Sequence, residues 1–214
     1  MAANVLGISA SPFAGGNVER MITRLLELSG AQGGMVRLAD LEFKPCLGCA
    51  HLCAKDNLCK LDDGLRDLFP QILAADVLIL GGPSYFNGPN GYMLLLLERL
   101  WCMRHQRFPL EGKPFFVVAS GGVQEPSGVI EMVKARMEAY CARFAGSVSY
   151  FSGNLPCFKC GQGSKCQVGS IKNRFTPEEI KDLKWGRTLF RQWEESPQAK
   201  DQMEQALARL RELL

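Results

Sequence analysis

Four cysteines fall within fourteen residues, Cys46-x2-Cys49-x3-Cys53-x5-Cys59, and Asp62-Asp63 follows closely. Short gaps of this kind let one loop place sulfur at four corners, as a cubane [4Fe–4S] cluster requires. Four thiolates also satisfy a tetrahedral zinc ion, and free thiols are the remaining alternative. A second group, Cys157-x2-Cys160-x5-Cys166, is one ligand short of a full set. It reads as a second metal site, a site completed by a partner subunit, or a thiol-rich loop. The two groups hold seven of the nine cysteines, which is not how buried apolar cysteines scatter. The N-terminus lacks a basic region followed by a long apolar stretch, so the expected compartment is the cytoplasm. There structural disulfides are rare, and clustered cysteines point to metal or redox chemistry.

A different chemistry is written near the N-terminus. The stretch Val5-Leu6-Gly7-Ile8-Ser9-Ala10-Ser11-Pro12-Phe13-Ala14-Gly15-Gly16-Asn17-Val18 reads as an apolar strand, a tight loop and the start of an amphipathic helix. Free N–H groups and the helix dipole make such a turn an anion site. The hydroxyls of Ser9 and Ser11 and the Asn17 amide can add hydrogen bonds to phosphate oxygens, and Gly15 and Gly16 allow close backbone approach. No Lys-Ser or Lys-Thr pair follows the glycines, which excludes an ATP-type P-loop. No G-x-G-x-x-G is present, which weakens a dinucleotide reading. What remains is a site for one phosphate group, as on a mononucleotide, or an ordinary strand-to-helix turn that contains serines.

Two further loops suit a flat ring. Gly81-Gly82-Pro83-Ser84-Tyr85-Phe86-Asn87-Gly88-Pro89-Asn90 combines aromatic faces, flexible backbone and side-chain amides. A planar heterocycle needs ring faces or apolar walls, with N–H groups aimed at its polar edge. Taken alone, the same residues also describe a turn whose aromatics cap the core. Ser120-Gly121-Gly122-Val123-Gln124-Glu125 is able to wrap the ring's other edge.

These loops must be held by a regular frame. Apolar runs at Asn4–Ser9, Met35–Ala39, Asp76–Gly82, Phe115–Ser120 and Ser147–Phe151 alternate with helical stripes. The stripes are Val18–Leu26; Leu65–Leu73, where Pro70 should kink or split the helix; Tyr92–Met103; and Val129–Phe144. Strands without polar alternation, each followed by a helix, predict an α/β fold with a doubly wound five-stranded parallel sheet. Ligands of such sheets sit at the carboxyl ends of the strands, near the topological switch point. All the loops singled out above fall there. We divide the chain into residues 1–155, the sheet domain with the cysteine loop 46–59, and residues 156–214, an extension of the same domain. In the extension, Thr176-Pro177-Glu178-Glu179 signals a helix running to about Trp193, and Pro197 separates it from a last amphipathic helix.

A chain of 214 residues with 47% apolar residues can bury a sizeable core. Its net charge of +3, without a basic stripe interleaved with aromatics, argues against nucleic acid. No apolar run approaches the ~20 residues that span a bilayer, so no membrane partner is expected. Tyr92, Met93, Leu94, Leu95, Leu96, Leu97, Leu100 and Trp101 make one helix apolar nearly all round. Such a helix must be covered on more than one side. This predicts a homo-oligomer, dimer or tetramer; the alternative cover is the pair of C-terminal helices. No acid, base or nucleophile constellation of a hydrolase is evident, and no catalytic residue is assigned.

Together, the phosphate loop and the two ring loops resemble a flavodoxin-like FMN site. In more detail, the chain is similar over residues 3–152 to the NAD(P)H-dependent FMN reductase and iron-sulfur flavoprotein group. Ala10–Val18 resembles that family's G-S-P-x-x-x-G-N-T phosphate loop, with Val18 in place of the threonine. Gly82-Pro83-Ser84-Tyr85-Phe86 resembles its S-P-x-Y-[YFW] ring loop. Iron-sulfur flavoproteins carry a C-x2-C-x2-C-x4–7-C motif where this chain has Cys46 to Cys59, one residue longer in the second gap. The resemblance implies a flavodoxin-like strand order of 2-1-3-4-5 and an FMN-dependent oxidoreductase. FMN would be held by Ser9, Ser11, Gly16, Asn17, Val18, Pro83, Ser84, Tyr85, Phe86, Asn87, Gly88, Ser120, Gly121 and Gly122. Cys46, Cys49, Cys53 and Cys59 would hold a [4Fe–4S] cluster that exchanges electrons with the flavin, and clusterless relatives with a similar loop exist. The implied partners are NAD(P)H as a possible donor and a small molecule or redox protein as acceptor. The alternatives are an NAD(P)H-dependent FMN or quinone reductase without a cluster, and a non-catalytic electron carrier or redox sensor.

Overall fold

The structure, a computed structural model, describes residues 3–183, 185 and 189–214. The order along the chain is β1 (Asn4–Ser9), α1 (Asn17–Ser29), β2 (Gln32–Arg37), α2 (Ala50–Cys53), α3 (Leu68–Ala74), β3 (Val77–Tyr85), β4 (Gly88–Pro89), α4 (Gly91–Arg99), β5 (Pro114–Gly121), α5 (Ser127–Glu138) and β6 (Arg143–Phe151). Three further helices follow: α6 (Cys157–Cys160), α7 (Pro177–Asp182) and α8 (Pro197–Arg211). Five strands run parallel in the order β2-β1-β3-β5-β6, and β4 pairs antiparallel with the end of β3. With β4 set aside as a hairpin arm, this is the doubly wound 2-1-3-4-5 order of flavodoxin-like sheets. The two edges are β2 and β6, so the loops carrying the two cysteine groups leave opposite sides of the sheet.

Successive strand residues point to opposite faces, and both faces are covered. Leu6, Ile8, Leu78, Leu80, Phe115 and Val117 pack with α3, α4 and α5. Val5, Val77, Ile79, Phe116, Val118 and Val148 pack with α1 and α8. Glycine permits the close seating of α1. A Cβ on Gly7 would lie 2.5 Å from Ile22, and one on Gly81 would lie 2.6 Å from it. The last helix covers β6 and α1, not α4. Among the described residues, the last helix therefore does not supply the second cover expected for the apolar helix.

Several boundaries differ from the sequence expectation. Helix α3 begins at Leu68, so Pro70 falls in its first turn, where its missing N–H breaks no helical hydrogen bond. Helix α4 ends at Arg99 and a 3-10 turn continues to Arg104. After α5 the chain reverses at Cys141, whose φ of 59° is left-handed, and β6 starts at Arg143. Phe144 is thus a strand residue, not the end of a helical stripe. Strand β2 ends at Arg37, and Leu38–Asp40 form a 3-10 turn. The helix opened by the Thr176 capping box closes at Asp182, because Leu183 is extended (ψ 127°). The expected run to Trp193 crosses residues 184 and 186–188, which lie outside the described residues; Trp193–Glu195 form a 3-10 turn. Among the described residues no helix is long and apolar enough to cross a membrane.

Candidate functional site

The loop after β1 enters α1 through Gly16, an extended N-cap with no side-chain cap. The N–H groups of Asn17, Val18 and Glu19 have no partner among the described residues, as is usual in a first helical turn. The side chains around them are engaged within the protein. The Ser9 hydroxyl is fully buried and donates to Glu19 Oε1 (3.3 Å). Ser11 Oγ donates to the Phe13 carbonyl and accepts from the Phe13 N–H, both at 3.1 Å. Val18 lies in the core under α1. Asn17 Oδ1 accepts from the Trp193 N–H (3.1 Å) and from Arg20 Nη2 (2.8 Å), and Nδ2 donates to the Arg191 carbonyl (3.3 Å). The buried Glu19 carboxylate accepts from the Gly15 N–H (2.7 Å) and from Arg37 Nε (2.6 Å). Glu19 is a site residue that the sequence gave no reason to select, since an acidic residue in a first turn reads simply as complementing the dipole.

After β3 the chain forms a tight hairpin, with Ser84 opposite Pro89 and Tyr85 opposite Gly88. Phe86 and Asn87 make its two-residue turn at φ 51° and 61°. Left-handed values at both central positions are the mark of a type I′ turn, which glycine and asparagine ordinarily occupy. Here a phenylalanine takes the first position and its side chain is 106% exposed. The hairpin rests on α5: a Cβ on Gly128 would lie 1.8 Å from the Asn87 carbonyl oxygen.

An open groove of about 320 Å³ joins the phosphate loop to this hairpin, lined by Pro12, Tyr85, Asn90, Gly91, Tyr92 and Leu95. Asn90 holds the two loops in register by donating Nδ2–H to the Ala10 carbonyl (2.7 Å). Its Oδ1 is buried without a partner among the described residues. A groove with an apolar wall, a buried unpaired acceptor and free helix N–H groups nearby fits a phosphate-bearing planar ligand. Ser120, Gly121 and Gly122 end β5 and are backed by the next crossing, where Ser152 N–H and Oγ–H both donate to the Gly121 carbonyl. A larger groove of about 580 Å³ between α1 and α8, lined by Arg20, Arg24, Trp193 and Lys200 among others, lies away from these ring loops.

The cysteine loop is clamped against the end of α4. Arg99 Nη1 donates to the Lys44 carbonyl (2.7 Å) and to Asp63 Oδ2 (2.6 Å), and the Cys46 N–H donates to Glu98 Oε2 (3.2 Å). Each of three thiols has a donor or a cation beside it. The Gly48 N–H points at Cys46 Sγ (3.5 Å), and His105 Nε2 lies 3.1 Å from Cys53 Sγ. Burial opposes the Arg99 charge, but Asp63 and the Cys59 sulfur hold the guanidinium protonated. The Arg99 Nε–H is buried with no oxygen partner among the described residues. Burial pushes the Cys53 thiol up and the nearby Cys102 thiol up to about 12. The four candidate ligands are not drawn together, however. Among the described residues no three Cys, His, Asp or Glu side chains stand where they could hold a metal ion.

The extension closes over the same end of the sheet. Lys159 Nζ lies 3.6 Å from the centre of the Phe13 ring. Arg174 donates to the Gly153 and Val123 carbonyls, and Arg191 N–H donates to Asn154 Oδ1 (2.8 Å). None of these contacts has a sequence signal, because each joins residues far apart in the chain.

Residues 3–149 match the family described as NADPH-dependent FMN reductase. An iron-sulfur flavoprotein of Methanocaldococcus jannaschii is 33% identical over 120 residues, which cover 55% of this chain and 61% of the relative. The match thus spans about three-fifths of that relative's length. An iron-sulfur flavoprotein of Methanosarcina thermophila is 27% identical over 154 residues, covering 70% of this chain and 80% of the relative. Among solved structures, RosB with bound 8-demethyl-8-formylriboflavin-5'-phosphate superposes with a TM-score of 0.66 at 16% identity, covering 99% of this chain and 79% of that one. At that identity the likeness speaks to the fold.

Proposed function

The chain belongs to the NADPH-dependent FMN reductase family, and from that premise we propose that it is a flavin-dependent oxidoreductase of the iron-sulfur flavoprotein kind. FMN supplies hydride and single-electron chemistry when bound, and a [4Fe–4S] cluster on Cys46, Cys49, Cys53 and Cys59 supplies a one-electron partner. The observation that carries the flavin reading is the groove between Pro12 and Tyr85, on the loop that leads into the free N–H groups of α1. In this reading the N–H groups of Asn17, Val18 and Glu19 hold the phosphate. The Arg37 charge offsets Glu19, and Asn17 ties the extension down beside the phosphate. Tyr85 and Phe86 flank the ring, with Ser120–Gly122 at its far edge.

For the cluster, the donor set fits: a loop of four thiols faces a backbone N–H, an imidazole and a buried guanidinium. Such donors stabilise thiolate ligands and raise a cluster's reduction potential. The four thiols are spread along one loop, and ligand loops of this kind gather as a metal binds. The same spread favours a second reading, an FMN or quinone reductase whose cysteines hold nothing.

The functional unit in this proposal is a homo-oligomer. Leu94 on α4 and Trp101 on the 3-10 turn that follows it are 38% and 45% exposed. A second copy is the proposed cover, and it brings a neighbour's cysteine loop toward the flavin. NAD(P)H is the proposed donor, and a small molecule or redox protein the acceptor. Anaerobic incubation with FMN followed by gel filtration tests the flavin reading. Elution with close to one FMN per chain, bleached by NADPH, supports it; elution free of flavin refutes it.

A further inference from the structure

The described residues between 155 and 190 carry a small core of their own. Leu155, Cys157, Phe158, Ile171 and Ile180 are buried together, with Phe175, Trp185 and Phe190 packed around them. Its described regular structure is short: four residues in α6, six in α7, and two 3-10 turns at Gly163–Lys165 and Ser170–Asn173. Units this small rarely bury enough apolar surface to hold one conformation, and they commonly depend on a metal or a disulfide.

The sulfurs identify which staple is at hand. A Cβ built on Gly169 would lie 3.1 Å from Cys166 Sγ and 3.3 Å from Cys157 Sγ, so both sulfurs border the tight space beside this glycine. Cys160 is turned away, with its thiol directed at the Cys157 carbonyl (3.6 Å). The Cys157 and Cys166 sulfurs border one point beside Gly169, with Cys157 Sγ also 3.7 Å from Ser170 Oγ, and the Cys160 thiol is directed elsewhere. No three-ligand metal group is present among the described residues. We propose that Cys157 and Cys166 are an oxidisable pair, converted to a disulfide by exchange with a low-molecular-weight disulfide.

The chemistry balances in two steps. The half-buried Cys166, as thiolate, attacks one sulfur of the small disulfide, forming a mixed disulfide and releasing one small thiol. The buried Cys157 then attacks Cys166 Sγ, and the second small thiol leaves. The protein dithiol loses two electrons and two protons, and the small disulfide gains both. Closing this ten-residue loop fixes the segment that reaches the phosphate loop through Lys159 and Phe13 and the β5 loop through Arg174 and Val123.

The test uses the full chain treated with oxidised glutathione, followed by alkylation of free thiols, tryptic digestion and mass spectrometry. Cleavage at Lys159 and Lys165 places Cys157, Cys160 and Cys166 on three separate peptides, so the pairing reads out directly. The expected product is a Cys157–Cys166 linkage that survives in Cys160→Ser and is lost in Cys166→Ser and Gly169→Val. A Cys157–Cys160 linkage, a glutathione adduct that persists on Cys166, or zinc that shields all three thiols would overturn the proposal. The readout needs no flavin, so it stands or falls separately from the proposed function.

Discussion

Arg99 and Asp63 form a buried ion pair, Nη1 to Oδ2 at 2.6 Å, with side chains only 1% and 8% exposed. The second nitrogen, Nη2, reaches Asp63 Oδ1 at 3.1 Å, which makes the pair bidentate. Its place explains its value. Asp63 also accepts from the Lys44 and Leu65 N–H groups, so one carboxylate fastens both ends of the cysteine loop to α4. Asp63→Asn leaves a guanidinium buried without its counter-charge, and the expected loss of stability is on the order of 3–5 kcal/mol by urea unfolding.

The same pair sets an acid limit. Burial alone would raise the Asp63 carboxyl, but the hydrogen bonds from Arg99 and from the Lys44 and Leu65 N–H groups outweigh it and hold the group below its usual value. A folded value below the unfolded one, about 3.9, contributes stability that is present above the unfolded value and disappears as pH falls through the folded one. Urea midpoints of the wild type should therefore fall from about pH 4 downward, and this part of the fall should be missing in Asp63→Asn.

Phe86 holds a backbone conformation that costs a non-glycine residue roughly 1–2 kcal/mol. Phe86→Gly removes that cost, so the urea midpoint should rise. If the exposed ring serves the flavin, FMN affinity should fall at the same time, by about tenfold. Unchanged affinity in a stabilised variant would assign the ring no part in binding.

Asn17→Asp keeps the acceptor for the Trp193 N–H, removes the donor to the Arg191 carbonyl and places a negative charge beside the free N–H groups of α1. FMN binding should weaken by on the order of 1–3 kcal/mol, measured by fluorescence titration. An unchanged dissociation constant would place the phosphate elsewhere.

The outer face of α4 and of the 3-10 turn that follows it gives a test of assembly. Sedimentation equilibrium at micromolar concentration should show a multiple of 23.7 kDa for the wild type and a single chain for Leu94→Glu with Trp101→Glu. A single-chain wild type refutes the oligomer.

The parallel sheet was legible because its central strands carry apolar runs, its strand order followed from the resemblance to flavodoxin-like proteins, and the loops at the carboxyl ends could be located from the two together. Helix ends were less so. Pro70 reads as a break along the sequence, yet its effect depends on where the helix starts, which packing of Leu68 and Phe69 decides. Phe144 fits a helical period equally well as a strand residue, and only the left-handed Cys141 separates the two. At the site, the residue types of the phosphate loop were readable but their partners were not. Ser9 turns inward to Glu19, and Asn17 is taken up by Arg191 and Trp193, more than 170 residues away. Long-range partners of this kind leave no local periodicity to read.

The account turns on two cofactors in one chain, and quantifying FMN, iron and acid-labile sulfide in the same anaerobically reconstituted sample tests it most directly. The expected result is about one FMN, four iron and four sulfide per chain, with iron and sulfide lost together in Cys49→Ser while FMN is retained. Flavin at one per chain with no sulfide, or with one zinc in place of iron, would contradict it.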